Sequence, residues 1–192
     1  ITAEQAKLAA QIPMADDITA EADSGGHTDN RPAIALLPTM IALRDRIQIQ
    51  HHYPTAPRVG LAGGISTPAA AAAAYAMGAA YIVTGSVNQA CVESGSSDIV
   101  RQMLAEAGQA DTAMAPAADM FEMGVDVQVL KRGTMFSMRG ARLYELYRHN
   151  QCLEDIPVPD REKLEKQFYR RSLAEEWAAT KAFFQERDPK HA

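Results

Sequence analysis

Residues 58–86, RVGLAGGISTPAAAAAAYAMGAAYIVTGS, read as strand, glycine turn, helix, strand and second glycine turn. Arg58 to Ala62 is a short apolar run that stops at Gly63-Gly64, and paired glycines at a strand end leave backbone N–H groups with no Cβ in front of them. Thr67 followed by Pro68 is an N-cap with proline at the first helical position, so the alanine-rich run to Met77 reads as a helix closed by Gly78. Ala79 to Val83 is a second buried strand, and Thr84-Gly85-Ser86 is another exposed turn with two hydroxyls. Two such turns after successive parallel strands are how a (β/α) barrel grips one phosphate at its C-terminal face. Plain βαβ packing, with the glycines serving only as turns, fits the spacing equally well.

On the N-terminal side, Asp17 to Ala22 is a short strand that runs into Asp23-Ser24-Gly25-Gly26-His27-Thr28-Asp29-Asn30, a polar loop hinged on two glycines. An imidazole just past a strand end is poorly placed for a core and well placed to exchange a proton near neutral pH. The plainer reading of His27 is a solvated loop histidine. Pro32 opens a helix to about Gln50 whose stripe is Leu36, Met40, Leu43 and Ile47, broadened by Ile34, Leu37 and Ile41. His51-His52 at its end lack a third ligand nearby and read as a polar exit, so no metal is expected. Strand, loop and helix repeat without an antiparallel signal, which predicts a parallel sheet with its active face at the C-terminal ends. A closed barrel needs eight such units and this chain offers about three, so the remaining strands are expected upstream.

The composition is that of one core plus an appendage: 192 residues, 47% hydrophobic and 22% charged, without an apolar run long enough for a membrane span. The first residue is Ile, and Ile1 to Ala10 reads as the tail of a helix with Thr2 and Gln5 in a capping box, as in a piece of something longer. Cys91 and Cys152 have neither metal nor redox spacing, which fits structural thiols in a cytoplasmic protein. Net charge is −5, split between −8 over residues 1–130 (6 basic, 14 acidic) and +3 over residues 131–192 (13 basic, 10 acidic). That balance argues against nucleic acid and leaves the basic tail free to meet an acidic protein.

Beyond Ser86, Val87 to Gly95 is a mixed polar loop or helix start, and Ser97 to Ala107 a short helix. Gln109 to Met123 is rich in Ala and Met with little periodicity; a lid-like insertion over about 87–124 and irregular core are the two readings. Val125 to Leu130 can be a strand, followed by Lys131-Arg132. The rest is helical: Arg142 to His149, Pro159 to Arg171, and a last helix opened by Ser172 and Glu175 with Leu173, Trp177 and Phe184 in a stripe that packs the tail against the barrel, the alternative being a docking module for a partner. The expected division is therefore 1–135, a partial (β/α) barrel, and 136–192, a helical subdomain.

Taken together, the two glycine turns and EADSGGHTDNRP resemble the flavin-dependent barrels of nitronate monooxygenases and bacterial flavin enoyl reductases. The longer stretches DITAEADSGGHTDNRP, GLAGGISTPAAAAAAYAMGAAYIVTGSVNQACVESG, APAADMFEMGVDVQVLKRGTMF and LYELYR look like the trans-acting enoyl reductases of polyketide and polyunsaturated-fatty-acid synthases. The likeness runs from Asp16 to about Pro189. It implies the C-terminal part of a (β/α)8 barrel followed by a helical tail, with the backbone of Gly63, Gly64, Gly85 and Ser86 on an FMN phosphate. Gly25, Gly26, Ala62 and Thr84 are its further cofactor-binding positions. His27 would stand by the flavin and the thioester carbonyl, stabilising the enolate by donating to it.

Glu21, Asp23 and Asn30 flank His27 as orienting or pocket residues, with a solvated loop edge as the equal alternative; Asn88 and Gln89 are weaker pocket candidates. Lys131 and Arg132 are charge-based candidates for a phosphopantetheine or NADPH phosphate. NADPH or NADH is the implied reductant and an acyl carrier protein bearing an enoyl thioester the implied partner, besides the upstream half of the barrel or a second copy. The competing readings are a nitronate monooxygenase, with the same flavin and the same histidine as base, and a docking fragment without catalysis.

Overall fold

A computed structural model gives the structure of residues 1–9, 11–188 and 190. Ala10, Pro189, His191 and Ala192, which the sequence assigns to the first helix and the tail, lie outside the described residues. No described helix is long and apolar enough to cross a membrane. The chain divides into two compact units, Ile1–Ser137 and Met138–Ala192.

The first unit holds two three-stranded sheets. In one, β1 (Asp17–Glu21), β3 (Arg58–Ala62) and β4 (Ile82–Val83) are parallel in the order β1-β3-β4, with Asp17 opposite Arg58 and Ala62 opposite Val83. Helix α1 (Ala3–Ala9) precedes them, opened by the reciprocal Thr2 and Gln5 bonds. Helices α2 (Ala33–His51) and α3 (Pro68–Ala76) supply the crossovers, and the core lies between them and the sheet: Ala20, Ala22, Val59 and Leu61 meet Leu37 and Ala74. The Thr67 hydroxyl accepts from Ala70 N–H at 3.1 Å, capping α3 as its sequence dictates. On α2 the stripe is rotated from expectation. Leu37 is fully buried with Leu36, Met40 and Ile41 beside it, whereas Ile34 is 77% and Leu43 38% exposed. Pro38 sits inside this helix and Pro32 outside it, in extended backbone.

Alternation along the strands turns Thr19 and Gly60 to the face away from the helices. There the Thr19 and Tyr81 hydroxyls share a 2.9 Å hydrogen bond, and Arg58 makes two 2.7 Å bonds to the Asp17 carboxylate. Tyr81 lies over Gly60, where a Cβ would come within 2.5 Å of its ring.

The second sheet corrects the expectation of an all-parallel chain. After α4 (Ser86–Gln89) and α5 (Asp98–Ala105), strand β5 (Thr112–Pro116) pairs antiparallel with β6 (Asp126–Leu130), and β6 pairs antiparallel with the two-residue β2 (Gly26–His27). The Ala/Met-rich stretch read as lid or irregular core thus contains a paired strand. Ala115, Pro116 and Ala117 on it are buried.

In the second unit, α6 (Phe136–His149, entered from the last residues of the first unit), α7 (Val158–Lys163) and a π-helical turn at Leu164–Tyr169 enclose Leu146, Ile156 and Leu164. Arg142 ties Glu145 to Asp160 at 2.7 and 2.6 Å. Helix α8 (Leu173–Arg187) opens with the Ser172–Glu175 capping box. Its aromatic stripe does not pack inward as expected: Trp177 is 59% and Phe184 61% exposed, and Lys181 lies over the Trp177 ring. The cation covers one face of Trp177, and Phe184 is met edge-on by Phe183 at a centroid distance of 5.4 Å.

Candidate functional site

Three loops meet at the C-terminal ends of the parallel strands. Ala22 N–H donates to Ala62 O at 2.8 Å, which binds the exit of β1 to the exit of β3. Gly63 follows with φ +88°, and a Cβ there would lie 2.8 Å from Asp23 O and closer still to Ala22 O. Only glycine meets both demands, a left-handed backbone and a neighbouring main chain in contact. From the other side Gly25 abuts the third loop, its Cβ position 2.5 Å from the Ser86 hydroxyl. The Thr84–Ser86 turn is clamped by Asn88, whose amide donates to Thr84 O at 2.9 Å while the Thr84 hydroxyl donates to its Oδ1 at 3.2 Å.

Gly64 and Gly85 are open: the nearest atom to a Cβ is 3.8 Å away at Gly64, and nothing lies within 4 Å at Gly85. None of the described residues accepts a hydrogen bond from the backbone N–H of Gly63, Gly64, Gly85 or Ser86. Gly25, Ala62, Gly63, Gly64, Thr84, Gly85 and Ser86 are thus brought to one rim. Gln89 is exposed and lends its carbonyl to the Ser94 hydroxyl.

His27 sits beside this rim on β2, not on a free loop. Its backbone pairs with Val127 and that of Gly26 with Gln128. The loop is tied to the same strand through Asp23, whose Oδ1 accepts from Gln128 Nε2 at 2.9 Å and from the Thr28 hydroxyl at 3.2 Å. Glu21 accepts from the Ser24 hydroxyl at 3.2 Å, and Asn30, at φ 57°, sends its N–H to the Thr28 hydroxyl at 3.1 Å. The ring of His27 has a different partner: Nε2 stands 3.3 Å from Oδ1 of Asp119, in the turn between β5 and β6. Neither Asp119 nor Gln128 stands out in the sequence, because each reaches the site only through strand pairing.

Arg132 lies past the far end of β6 and is engaged by Asp111 at 3.6 Å and by Glu106 O at 3.3 Å. Lys131 beside it is exposed. Its distance from His27 is on the order of 13 Å, four strand residues beyond the Val127 pairing. His51, at the end of α2, stacks on Tyr53 with ring centroids 5.4 Å apart.

Comparison with known proteins places this arrangement. The chain is 54% identical over 186 residues to a polyunsaturated fatty acid synthase subunit of Thraustochytrium sp., covering 96% of the chain and 12% of that protein. It is 48% identical over 173 residues to the polyketide biosynthesis protein PksE of Bacillus subtilis, covering 90% of the chain and 23% of that protein. The enoyl reductase domain of MlnA, from the macrolactin biosynthesis cluster of Bacillus amyloliquefaciens, superimposes with a TM-score of 0.84 at 40% identity, over 98% of this chain and 42% of the solved one.

The chain is related to part of these polyunsaturated-fatty-acid and polyketide synthase proteins and to the solved enoyl reductase domain. Its fold class is accordingly the C-terminal part of a (β/α)8 barrel followed by a helical tail. Within that tail, residues 150–192 match the family described as the inserted helical domain of [acyl-carrier-protein] S-malonyltransferase. The chain spans less than half of each of these three proteins.

Proposed function

We propose that this chain is part of an FMN-dependent enoyl reductase that reduces the 2,3 double bond of enoyl thioesters on acyl carrier protein with NADPH or NADH, in trans in polyketide or polyunsaturated-fatty-acid synthesis. The observation that carries the reading is the convergence of three glycine-bearing turns, at Gly25, Gly63-Gly64 and Gly85-Ser86, beside a histidine held by its own strand. The rim suits a phosphate: open glycine N–H groups and the Ser86 and Thr84 hydroxyls supply donors, and no Cβ blocks the approach at Gly64 or Gly85. Gly63, Gly64, Gly85 and Ser86 would hold the FMN phosphate, with Gly25, Gly26, Ala62 and Thr84 shaping the walls. FMN, when bound, supplies the hydride for the β-carbon.

The protein's part is to hold and polarise the thioester. His27 donates a hydrogen bond to the carbonyl oxygen, where negative charge grows as the double bond is reduced. Asp23, fixed by Gln128 and Thr28, keeps the loop in register, and Lys131 is an exposed cation for the carrier's phosphopantetheine phosphate. The chain spans 42% of the solved MlnA domain, and the strands that would close the barrel come from the remainder of such a domain.

The test is flavin absorbance of the purified protein after FMN incubation and desalting, beside a form extended upstream. About one flavin per chain in either supports the reading, and flavin in neither overturns it in favour of a docking role. In the flavin-bearing form, His27→Ala keeps FMN and lowers enoyl-thioester reduction about a hundredfold, the scale of a positioned proton donor. Unchanged turnover removes His27 from the mechanism.

A further inference from the structure

His27 has two ring nitrogens and the structure engages one of them. Nε2 lies 3.3 Å from the Asp119 carboxylate, and none of the described residues bonds to Nδ1. The two side chains come from one antiparallel sheet: His27 from β2, registered on Val127, and Asp119 from the turn that joins β5 to β6. That turn is closed at its base by Ala117 N–H to Val125 O at 2.8 Å and at its end by Gly124, in left-handed backbone at φ +70°. The neighbouring acids are committed elsewhere, Asp23 to Gln128 and Thr28 and Glu21 to Ser24. Among the described residues, His27 is the only basic side chain within ion-pair distance of Asp119.

We propose that Asp119 is a positioning residue for His27: its carboxylate, which stands within ion-pair range of Nε2 without hydrogen-bond alignment in the structure, closes onto the Nε2–H, fixes the ring, and leaves Nδ1 as the nitrogen that meets the substrate carbonyl. A carboxylate on one imidazole nitrogen sets both the tautomer and the plane of the ring and offsets the charge when both nitrogens are protonated. The doubly protonated ring then presents Nδ1–H as a donor. The part concerning substrate rests on the reductase reading above; the part concerning the ring does not.

The experiment is a 1H–15N spectrum of histidine-labelled protein, with His27→Gln assigning the signal, read beside enoyl-thioester kinetics of the flavin-bearing form. A slowly exchanging Nε2–H of His27 is expected in the unaltered protein and in Asp119→Asn, which keeps an acceptor, and is lost in Asp119→Ala. In the kinetics, Asp119→Ala lowers kcat about fivefold with KM within twofold, a barrier change of about 1 kcal/mol as befits a half-exposed pair, and Asp119→Glu restores at least half of it. An Nε2–H that exchanges equally fast with and without Asp119 overturns the inference. Unchanged kcat in Asp119→Ala overturns it while leaving the reductase reading intact. The expected spectra with no reduction by any form sustain the assignment of the ring and sink the reductase reading instead.

Discussion

Ala20, Val59 and Leu61 on the parallel sheet are 2–3% exposed, whereas every residue of β6 in the antiparallel sheet is half-buried or exposed. The glycine rim and the histidine therefore rest on different supports. Under the rim lies a core packed from two helices, which locates Gly63 and Gly85 through their strands. His27 is located by a two-residue ladder and a few polar contacts near the surface: hydrogen bonds from Gln128 and Thr28 to Asp23, and the 3.3 Å approach of the ring to Asp119. Burial makes the first support stiff and polar contacts at a half-wet surface make the second adjustable, as the proposed phosphate grip and hydrogen-bonding ring would need.

The comparison is tested hardest at Leu37, which is fully buried against the parallel sheet. Leu37→Ala should cost about 3–5 kcal/mol in denaturant unfolding, as for other well-packed leucines. A loss below about 1 kcal/mol would show that the core does not hold the rim. Next in size is Gly63→Ala, where left-handed backbone and the Ala22 and Asp23 carbonyls leave no room. It should cost about 2–3 kcal/mol and abolish flavin retention, read by unfolding and by absorbance. The smallest effect belongs to the second support. Gln128→Ala removes the bond to Asp23 and should cost about 1 kcal/mol. Amide exchange in residues 24–30 should then quicken while that of α3 stays unchanged; equal quickening of both would mean that the two supports are one.

The rim was legible in the sequence because its signals are local. Thr67 and Pro68 start α3, Gly63-Gly64 end β3, and the neighbours of each residue in the chain decide its conformation. The antiparallel sheet was not, although half of it carries a pattern. Val127 and Val129 alternate with Asp126 and Gln128 as a strand should, but in the partner TAMAP the residues after Thr112 have little preference for strands, and it becomes one only by pairing. Asp119 lies still further from view, since its meeting with a residue 92 positions earlier (119 − 27) depends on that pairing. Leu43 misled for another reason. A helical stripe gives the period but not the angle at which the helix settles on a sheet, and here Leu37 and Ile41 took the inward place.

The face of the parallel sheet that carries Asp17, Arg58, Thr19 and Tyr81 bonds to itself, carboxylate to guanidinium and hydroxyl to hydroxyl, with Gly60 giving way to the tyrosine ring. In a barrel that surface is the lumen, where aliphatic layers are usual. A wall lined this way tolerates water before the barrel closes, so an open half does not stick to strangers.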